Sequence, residues 1–243
     1  MADILTLPQE ARSRIAVELE RRREPKMGRR KFKRDRHKRI KVAFFRYCYY
    51  DPAFKFFVEQ VLDADFLTLP EATKRTTEIG EQNSTDYVCT PFKHILGDYV
   101  EALEAGADVL VQFGGPCRLG YYGELQEAIL RDMGYEFQML NFSRGIEQGA
   151  LGWAKQCLKT VNPDINVPAA LPKLAATANM AVKLDEARDF YLANAGFERE
   201  HGAFKRVWAS YLDALRGATG DRDINEAFRQ AMDAMRAIPL DKP

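Results

Sequence analysis

Four cysteines offer the widest choice of chemistry in this 243-residue sequence: Cys48, Cys89, Cys117 and Cys157. A chain of this length can bury a large core, so it does not depend on disulfides as small secreted domains do. In a reducing compartment, a cysteine packs as a small apolar side chain, binds a metal or acts as a nucleophile. The sequence around each cysteine favours one of these uses over the others.

Cys89 and Cys117 lie in segments that contain proline or glycine, DYVCTPFK and GGPCRLGYYG. Thiolates are stabilised near helix N-termini and near cations, and Lys93 and Arg118 follow the two cysteines closely. The glycines before Cys117 allow the backbone to approach a bulky ligand and to donate N–H groups to sulfide. These features favour an iron–sulfur cluster, with Lys93 and Arg118 tuning its charge or holding an anionic substrate.

Cys48 and Cys157 are predicted to have different roles. Cys48 follows the apolar run IKVAFF and is the candidate for a third cluster ligand, whereas Cys157 lies on the apolar face of LGWAKQCLKTV and is predicted to be buried and inert. A site with three cysteines leaves one iron open to substrate, water or a bridging sulfide. Zinc is disfavoured, because the sequence has no CxxC pair and His94 is the only nearby histidine.

Short apolar runs alternate with amphipathic segments over residues 40–145, and these elements would position the cysteines. The predicted strands are IKVAFF, DADFLTLP, ADVLVQFG and YEFQMLNF, and the helices between them are AFKFFVEQVL, HILGDYVEALEAG and GELQEAILRDMG. This alternation is typical of an α/β fold with an open, doubly wound parallel sheet. Ligands of such sheets bind beyond the carboxyl ends of the strands. We therefore expect Cys48, Cys89 and Cys117 to converge at one edge of the sheet.

The sequence divides into three predicted regions. Residues 1–39 form a helical and basic N-terminal extension, residues 40–145 form the α/β cluster-binding domain, and residues 146–243 form a helical region. Asp221 or Asp223 is expected to cap the last helix. The final segment, IPLDKP, has no pattern typical of a folded element.

The N-terminal extension combines an amphipathic pattern over residues 8–23 with a strongly basic segment. Between Arg21 and Lys41, thirteen Lys or Arg residues stand against two acidic ones, a net charge of +11. The segment could bind an acidic partner, an RNA or a phosphate-rich ligand, but it lacks the aromatic interleaving of a stacking surface, which favours a solvated linker or tail. No apolar run is long enough to cross a bilayer, and the N-terminus lacks the apolar stretch of a secretory signal. We therefore expect a soluble, cytoplasmic protein without membrane contact.

Residues 40–142 resemble the 2-hydroxyacyl-CoA dehydratase-like family, in the branch related to the C-terminal region of acyl-CoA dehydratase activases. The resemblance lies in the tracts IKVAFFRYCYYDPAFKFFVEQV, STDYVCTPFKHILGDYVEAL and GGPCRLGYYGELQEAILRDMGYEFQMLNF, and it extends into the helical tail FEREHGAFKRVWASYLDAL. It implies a flavodoxin-like sheet carrying a [4Fe-4S] or double-cubane cluster held by three cysteines. It also implies transfer of low-potential electrons or dehydration of a 2-hydroxyacyl-CoA ester. Cys89 and Cys117 match the family's loop cysteines, and Cys48 matches a third.

Three departures from the family bear on function. Related long proteins continue with a second α/β domain where this sequence ends, and no phosphate-loop or actin-like ATPase signature is present. The Arg-Pro pair that often precedes the glutamate of the helical tail is replaced before Glu198 by Ala-Gly-Phe. The family thus implies a homo- or hetero-oligomer, in which a second dehydratase-like chain completes a cleft for a CoA ester or another small molecule.

Two other functions stay open. The chain could be a non-catalytic small subunit or scaffold that docks a larger dehydratase-like partner. It could also be an enzyme with a cysteine nucleophile, which needs a histidine base that only His94 could provide. Under the cluster hypothesis four tyrosines would wall the site, although ordinary half-buried packing explains them equally well; they are Tyr49, Tyr50, Tyr121 and Tyr122.

Overall fold

Four parallel strands form a single sheet in the computed structural model, which describes residues 39–46, 49–112, 122–141 and 160–242. The order of the strands across the sheet is β2-β1-β3-β4, so β1 and β3 are neighbours. Their bounds are β1 Lys41–Phe44, β2 Asp65–Phe66, β3 Val109–Gln112 and β4 Gln138–Asn141. The α/β class and the four predicted strands are confirmed, although β2 is shorter than the pattern predicts.

Helices follow or connect the strands and then form the last part of the described chain. Their bounds are α1 Asp51–Phe56, α2 Lys74–Gln82, α3 Thr90–Glu104, α4 Tyr122–Asp132, α5 Val167–Asn194, α6 Ala203–Arg216 and α7 Asp221–Arg236. Residues Phe57–Val61 extend α1 as a π-helical turn. Within the described ranges, no helix combines the length and apolar composition needed to cross a membrane.

Residues on successive positions of the strands pack on opposite faces of the sheet, as the period of two requires. Ala43 and Leu110 belong to the core formed with α3 and α4. Phe44 points to the other face, where its ring stacks on Phe54 of α1 with 4.5 Å between centroids. On that side, α1 also shares a buried core with α5, α6 and α7 that includes Phe56. The sheet is thus covered by helices on both faces.

Helix ends follow the expected local chemistry at several positions. Gly106, the last residue of the predicted helical segment HILGDYVEALEAG, has a φ of +90°, a left-handed conformation that costs glycine little. The last helix, α7, has Gly220 as its N-cap residue, and Asp223 accepts the N–H of Thr219 at 2.9 Å. The prediction that Asp221 or Asp223 is the N-cap residue is therefore wrong, although Asp223 contributes a side-chain acceptor from within the first turn.

Two parts of the structure differ from the predictions. Helix α2 was not predicted, because its sequence KRTTEIGEQ has little apolar periodicity; a capping box between Thr73 and Thr76 starts it. The final segment was expected to lack a folded element, but Leu240 pairs with Glu198 and the N–H of Asp241 bonds to the carbonyl of Phe197 at 2.9 Å. The predicted boundary at residues 145 and 146 falls outside the described residues and stays a prediction.

Helix α2 packs unusually closely on α3 because each helix has a glycine at the crossing. A Cβ at position 97 would overlap the carbonyl oxygen of Thr76, and a Cβ at position 80 would overlap the carbonyl oxygen of Lys93. The backbone of α3, which begins just after Cys89, is therefore held directly against the backbone of α2.

We predict that Gly97→Ala lowers the free energy of unfolding by about 1–3 kcal/mol, since an added methyl in a packed contact forces the helices apart. Urea denaturation measures this change. Gly196→Ala is the matched control, because no atom lies within 4 Å of a Cβ at position 196. Equal stability of the two variants would show that the α2–α3 contact is looser than the structure indicates.

Candidate functional site at the carboxyl edge of the sheet

Cys89 is the N-cap residue of α3, and its thiol is exposed. Its sulfur lies 2.6 Å from the hydroxyl oxygen of Tyr122, the first residue of α4. The ring of Tyr122 packs edge-on against Phe92, with 5.1 Å between centroids. The starts of α3 and α4 are therefore in contact through these three side chains.

Both helix starts lie at the carboxyl edge of the sheet. Helix α3 leads directly into β3 and α4 leads from β3 to β4, so each runs antiparallel to the parallel strands beside it. At this edge Gly123 is so close to Asn141, the last residue of β4, that a Cβ at position 123 would overlap the Asn141 amide. The sequence predicts Cys89 in a loop at the end of a strand and just before a helix. The helix is confirmed, because Cys89 directly precedes α3, but the element before Cys89 is helix α2 and not a strand.

The other predicted ligands lie outside the described residues. Cys48 falls in residues 47–48, Cys117 and Arg118 fall in residues 113–121, and Cys157 falls in residues 142–159. Strands β1 and β3, after which the first two of these segments begin, are paired, with Phe44 opposite Val111. The segments that contain Cys48 and Cys117 therefore start from adjacent strand ends.

The first turn of α3 has no acidic side chain to balance the positive end of the helix dipole. No side chain caps it, and no acidic residue lies in the turn. Among the described helices, the others have a capping amide, a capping hydroxyl or a carboxylate at or near their first turn. Lys93 lies in this same turn, where its positive charge is unfavourable against the helix dipole. The start of α3 thus has a surplus of positive charge.

Lys93 itself is half-buried on α3. Within the described ranges it forms no hydrogen bond or ion pair through its ammonium group, so that group is available to an anion there. The role predicted for Lys93, tuning the cluster charge or holding an anionic substrate, stays a prediction.

Arg46, two residues beyond β1, joins the carboxyl end of that strand to α3. Its guanidinium pairs with Asp98, and its Nη2 lies 2.9 Å from Oε2 of Glu101. Its backbone N–H also donates to Asp98 at 2.9 Å. Burial raises the pKa of Asp98, and the backbone N–H and charge of Arg46 oppose that rise. Thr76 of α2 donates to the other oxygen of Glu101 at 2.9 Å, so three elements meet in this cluster.

The predicted tyrosine wall separates into two parts. Tyr122 contacts the thiol of Cys89, as described above. Tyr49 and Tyr50 instead donate their hydroxyl protons to one oxygen of Asp185 on α5, at 2.7 and 2.5 Å. Tyr121 lies outside the described residues.

Polar side chains are buried at the same edge of the sheet. Gln112 and Asn141 are the last residues of β3 and β4, and they lie opposite each other in the pairing. Gln126 of α4 is fully buried and donates to the carbonyl of Phe92 at 3.3 Å. Tyr99 donates to the carbonyl of Val111 at 2.9 Å. A polar layer at the carboxyl ends of parallel strands is where α/β sheets bind ligands.

The sequence did not single out Arg46, Asp98 or Asp185. Asp98 could have been identified from the sequence, because it is an acidic residue within the apolar positions of HILGDYVEAL. Arg46 and Asp185 could not, because their partners are far away in the sequence.

The described residues do not by themselves form a metal site. They contain no group of three or more His, Cys, Asp and Glu side chains placed to hold an ion. Cys89 is the single predicted ligand among them, and its described partner is a phenol and not a histidine. Comparisons with protein-family models, with curated proteins and with solved structures found no match to this chain.

We predict that Arg46→Met lowers the free energy of unfolding by about 3 kcal/mol, because Asp98 would stay buried without its cation. The side chain of Asp98 is only 5% exposed. Arg75→Met is the matched control: Arg75 also pairs with a glutamate of α3, Glu104 at 2.7 Å, but both side chains are largely exposed. Urea denaturation of the two variants should show a much larger loss for Arg46→Met, and similar losses would contradict a structural role for the buried pair.

Proposed function

We propose that this chain is an iron–sulfur redox protein or a component of a 2-hydroxyacyl-CoA dehydratase-like system. The site would hold a [4Fe-4S]-type or double-cubane cluster through Cys48, Cys89 and Cys117. One observation carries the proposal: an exposed thiol begins α3, a helix whose first turn has a cation and no acidic residue or side-chain cap. A thiolate bound to iron supplies the negative charge that this helix end lacks.

The strand order supports the proposal. The order β2-β1-β3-β4 corresponds to the first four positions of a flavodoxin-like sheet. In that arrangement the chain turns in opposite directions after β1 and after β3, and ligands bind in the crevice between the carboxyl ends of these two strands. The segments that contain Cys48 and Cys117 begin there, and Cys89 lies at the same edge.

The chemistry of the described residues fits a cluster. Cys89 is accessible, and Tyr122 offers its sulfur a hydrogen bond of the kind that adjusts the reduction potential of iron–sulfur centres. The Lys93 ammonium would offset the negative charge of a thiolate-bound centre or hold an anionic substrate, and Arg118 would do the same. When bound, the cluster would supply low-potential electrons. The protein would hold it, orient it and limit its contact with water.

The proposal predicts iron and sulfide in the protein. Anaerobic purification or reconstitution should give a brown protein with close to four iron atoms per chain for a single [4Fe-4S] cluster, and an EPR signal after reduction. Cys89→Ser and Cys117→Ser should lose most of this iron. Cys157→Ser is the matched control and should keep it. A colourless, iron-free protein after reconstitution, or equal loss in all three variants, would overturn the proposal.

An exposed apolar row on α5 favours a second candidate function, a non-catalytic subunit that docks a larger dehydratase-like chain. Leu171, Leu174 and Val182 are 60%, 47% and 53% exposed. Their spacing places them on one side of the helix, where a partner would cover them.

The docking hypothesis predicts that a different set of variants loses binding to the partner. Leu171→Lys combined with Leu174→Lys should abolish co-purification with a dehydratase-like partner, because each lysine would place a charge in an apolar contact. Leu125→Lys, at another exposed apolar position, is the control. Serine variants of the cysteines should leave this docking unchanged. If the lysine variants bind the partner as well as the native chain, the row is not a docking surface.

A further inference from the structure

Gln126 is a polar side chain buried between α4 and α3. It is 0% exposed, and its amide nitrogen donates to the carbonyl oxygen of Phe92 at 3.3 Å. Its amide oxygen accepts no hydrogen bond within the described ranges. An apolar side chain of similar length, such as methionine, would fill this space without leaving a buried polar atom unsatisfied. Packing alone therefore does not account for a glutamine at this position.

Gln126 is linked to the thiol of Cys89 through two aromatic residues. It lies one helical turn beyond Tyr122, on the same side of α4. The ring of Tyr122 packs edge-on against Phe92, and its hydroxyl oxygen lies 2.6 Å from the sulfur of Cys89. Phe92 in turn donates its N–H to the carbonyl oxygen of Cys89 at 3.1 Å. The glutamine and the phenol thus both contact the first turn of α3.

The hydrogen bond from Gln126 joins α4 to the backbone of α3. Apolar contacts are non-directional, whereas a hydrogen bond has a preferred distance and angle. The amide of Gln126 therefore defines the spacing between α4 and the carbonyl of Phe92 more closely than apolar packing does. The distance between the Cys89 sulfur and the Tyr122 hydroxyl depends on the same spacing, because these two residues begin the two helices.

We propose that Gln126 is a positioning residue for Cys89, which holds the first turn of α3 so that the Cys89 sulfur meets the Tyr122 hydroxyl. The inference rests on the proposed function, in which Cys89 is a cluster ligand. Gln126 acts through Tyr122 and not on the sulfur directly. Its buried amide thus serves the hydrogen bond to the ligand sulfur, which forms only while α3 and α4 keep their spacing.

The test uses the full-length, metal-free protein and measures alkylation of Cys89 by iodoacetamide, quantified by mass spectrometry against added glutathione. Buffer at about pH 9.5 keeps cysteine thiols mostly ionised and tyrosine phenols mostly neutral, so that the rate reports the hydrogen bond and not the ionised fraction. A donated hydrogen bond withdraws electron density from a thiolate and slows its attack. We therefore expect Cys89 to react roughly threefold faster in Gln126→Met and in Tyr122→Phe than in the native chain.

A double variant distinguishes a positioning role from a general loss of structure. If Gln126 acts through the Tyr122 hydroxyl, adding Gln126→Met to Tyr122→Phe should leave the Cys89 rate at that of Tyr122→Phe alone. Leu130→Met is the matched control, because Leu130 is equally buried one turn further along α4, and it should keep the native rate. A native rate in Gln126→Met, or a further rise in the double variant, would overturn the positioning role.

Urea denaturation checks that the variants fold. Gln126→Met should have at least the native midpoint, because it removes a buried oxygen that has no partner within the described ranges. Gln126→Leu removes the same amide and replaces Gln126→Met in both experiments if the methionine variant folds poorly.

Reconstitution with iron separates this inference from the proposed function. Gln126→Met and Tyr122→Phe should both have a more negative reduction potential than the native protein, because a hydrogen bond to a ligand sulfur stabilises the reduced, more negative centre. If the native protein binds no iron but both variants alkylate faster, the cluster proposal fails while the positioning of Cys89 stands. If the native protein binds iron and Gln126→Met changes neither the potential nor the alkylation rate, the positioning inference alone fails.

Discussion

The buried ion cluster of Arg46 with Asp98 and Glu101 sets the geometry on which the rest of the carboxyl edge depends. It ties the end of β1 to the middle of α3, and Thr76 extends it to α2. Burying these charges costs several kcal/mol per ion before pairing offsets it, so the cluster adds little net stability compared with an apolar contact. What it supplies is a defined position: α3 cannot slide along the sheet without breaking several charged hydrogen bonds at once. The position of Cys89 is defined by the same contacts, because Cys89 is the N-cap residue of α3.

The two faces of the sheet contribute to the edge by different physical means. On the face covered by α3 and α4, glycines allow close approach: Gly97 contacts the backbone of Thr76, and Gly123 contacts the side-chain amide of Asn141. On the other face, apolar packing holds α5 and α6 against α1. The exposed carboxylate of Asp185 there accepts hydrogen bonds from Tyr49 and Tyr50. Close contact at glycines thus positions the elements on one face, whereas on the other face the hydrogen bonds to Asp185 add to apolar packing that includes Tyr49 and Tyr50.

Much of this fold is predictable from local sequence patterns. The parts that are not predictable depend on contacts that leave no apolar periodicity in the sequence. Short apolar runs such as KVAF and VLVQ identify their strands because both faces of a parallel sheet are buried. Helix α2 escapes prediction because it is held by a capping box and by a glycine against α3, neither of which leaves an apolar period. The place of Cys89 just before a helix was predictable from the sequence and is confirmed, but helix α2 as the element that precedes it was not. Asp185 was beyond prediction, since its role depends on contacts across more than a hundred residues.

The start of α3 breaks a rule that the other described helices follow, and this bears on what the edge is for. A helix end without a capping side chain or an acidic residue, with a lysine in its first turn, is locally unfavourable. Sequences are locally consistent with their folds except where function demands otherwise. A negatively charged partner at Cys89 would remove the conflict, because it would balance the positive end of the helix dipole and the Lys93 charge together. A purely structural cysteine would leave the conflict in place, and so the local chemistry of α3 favours a ligand at this edge over inert packing.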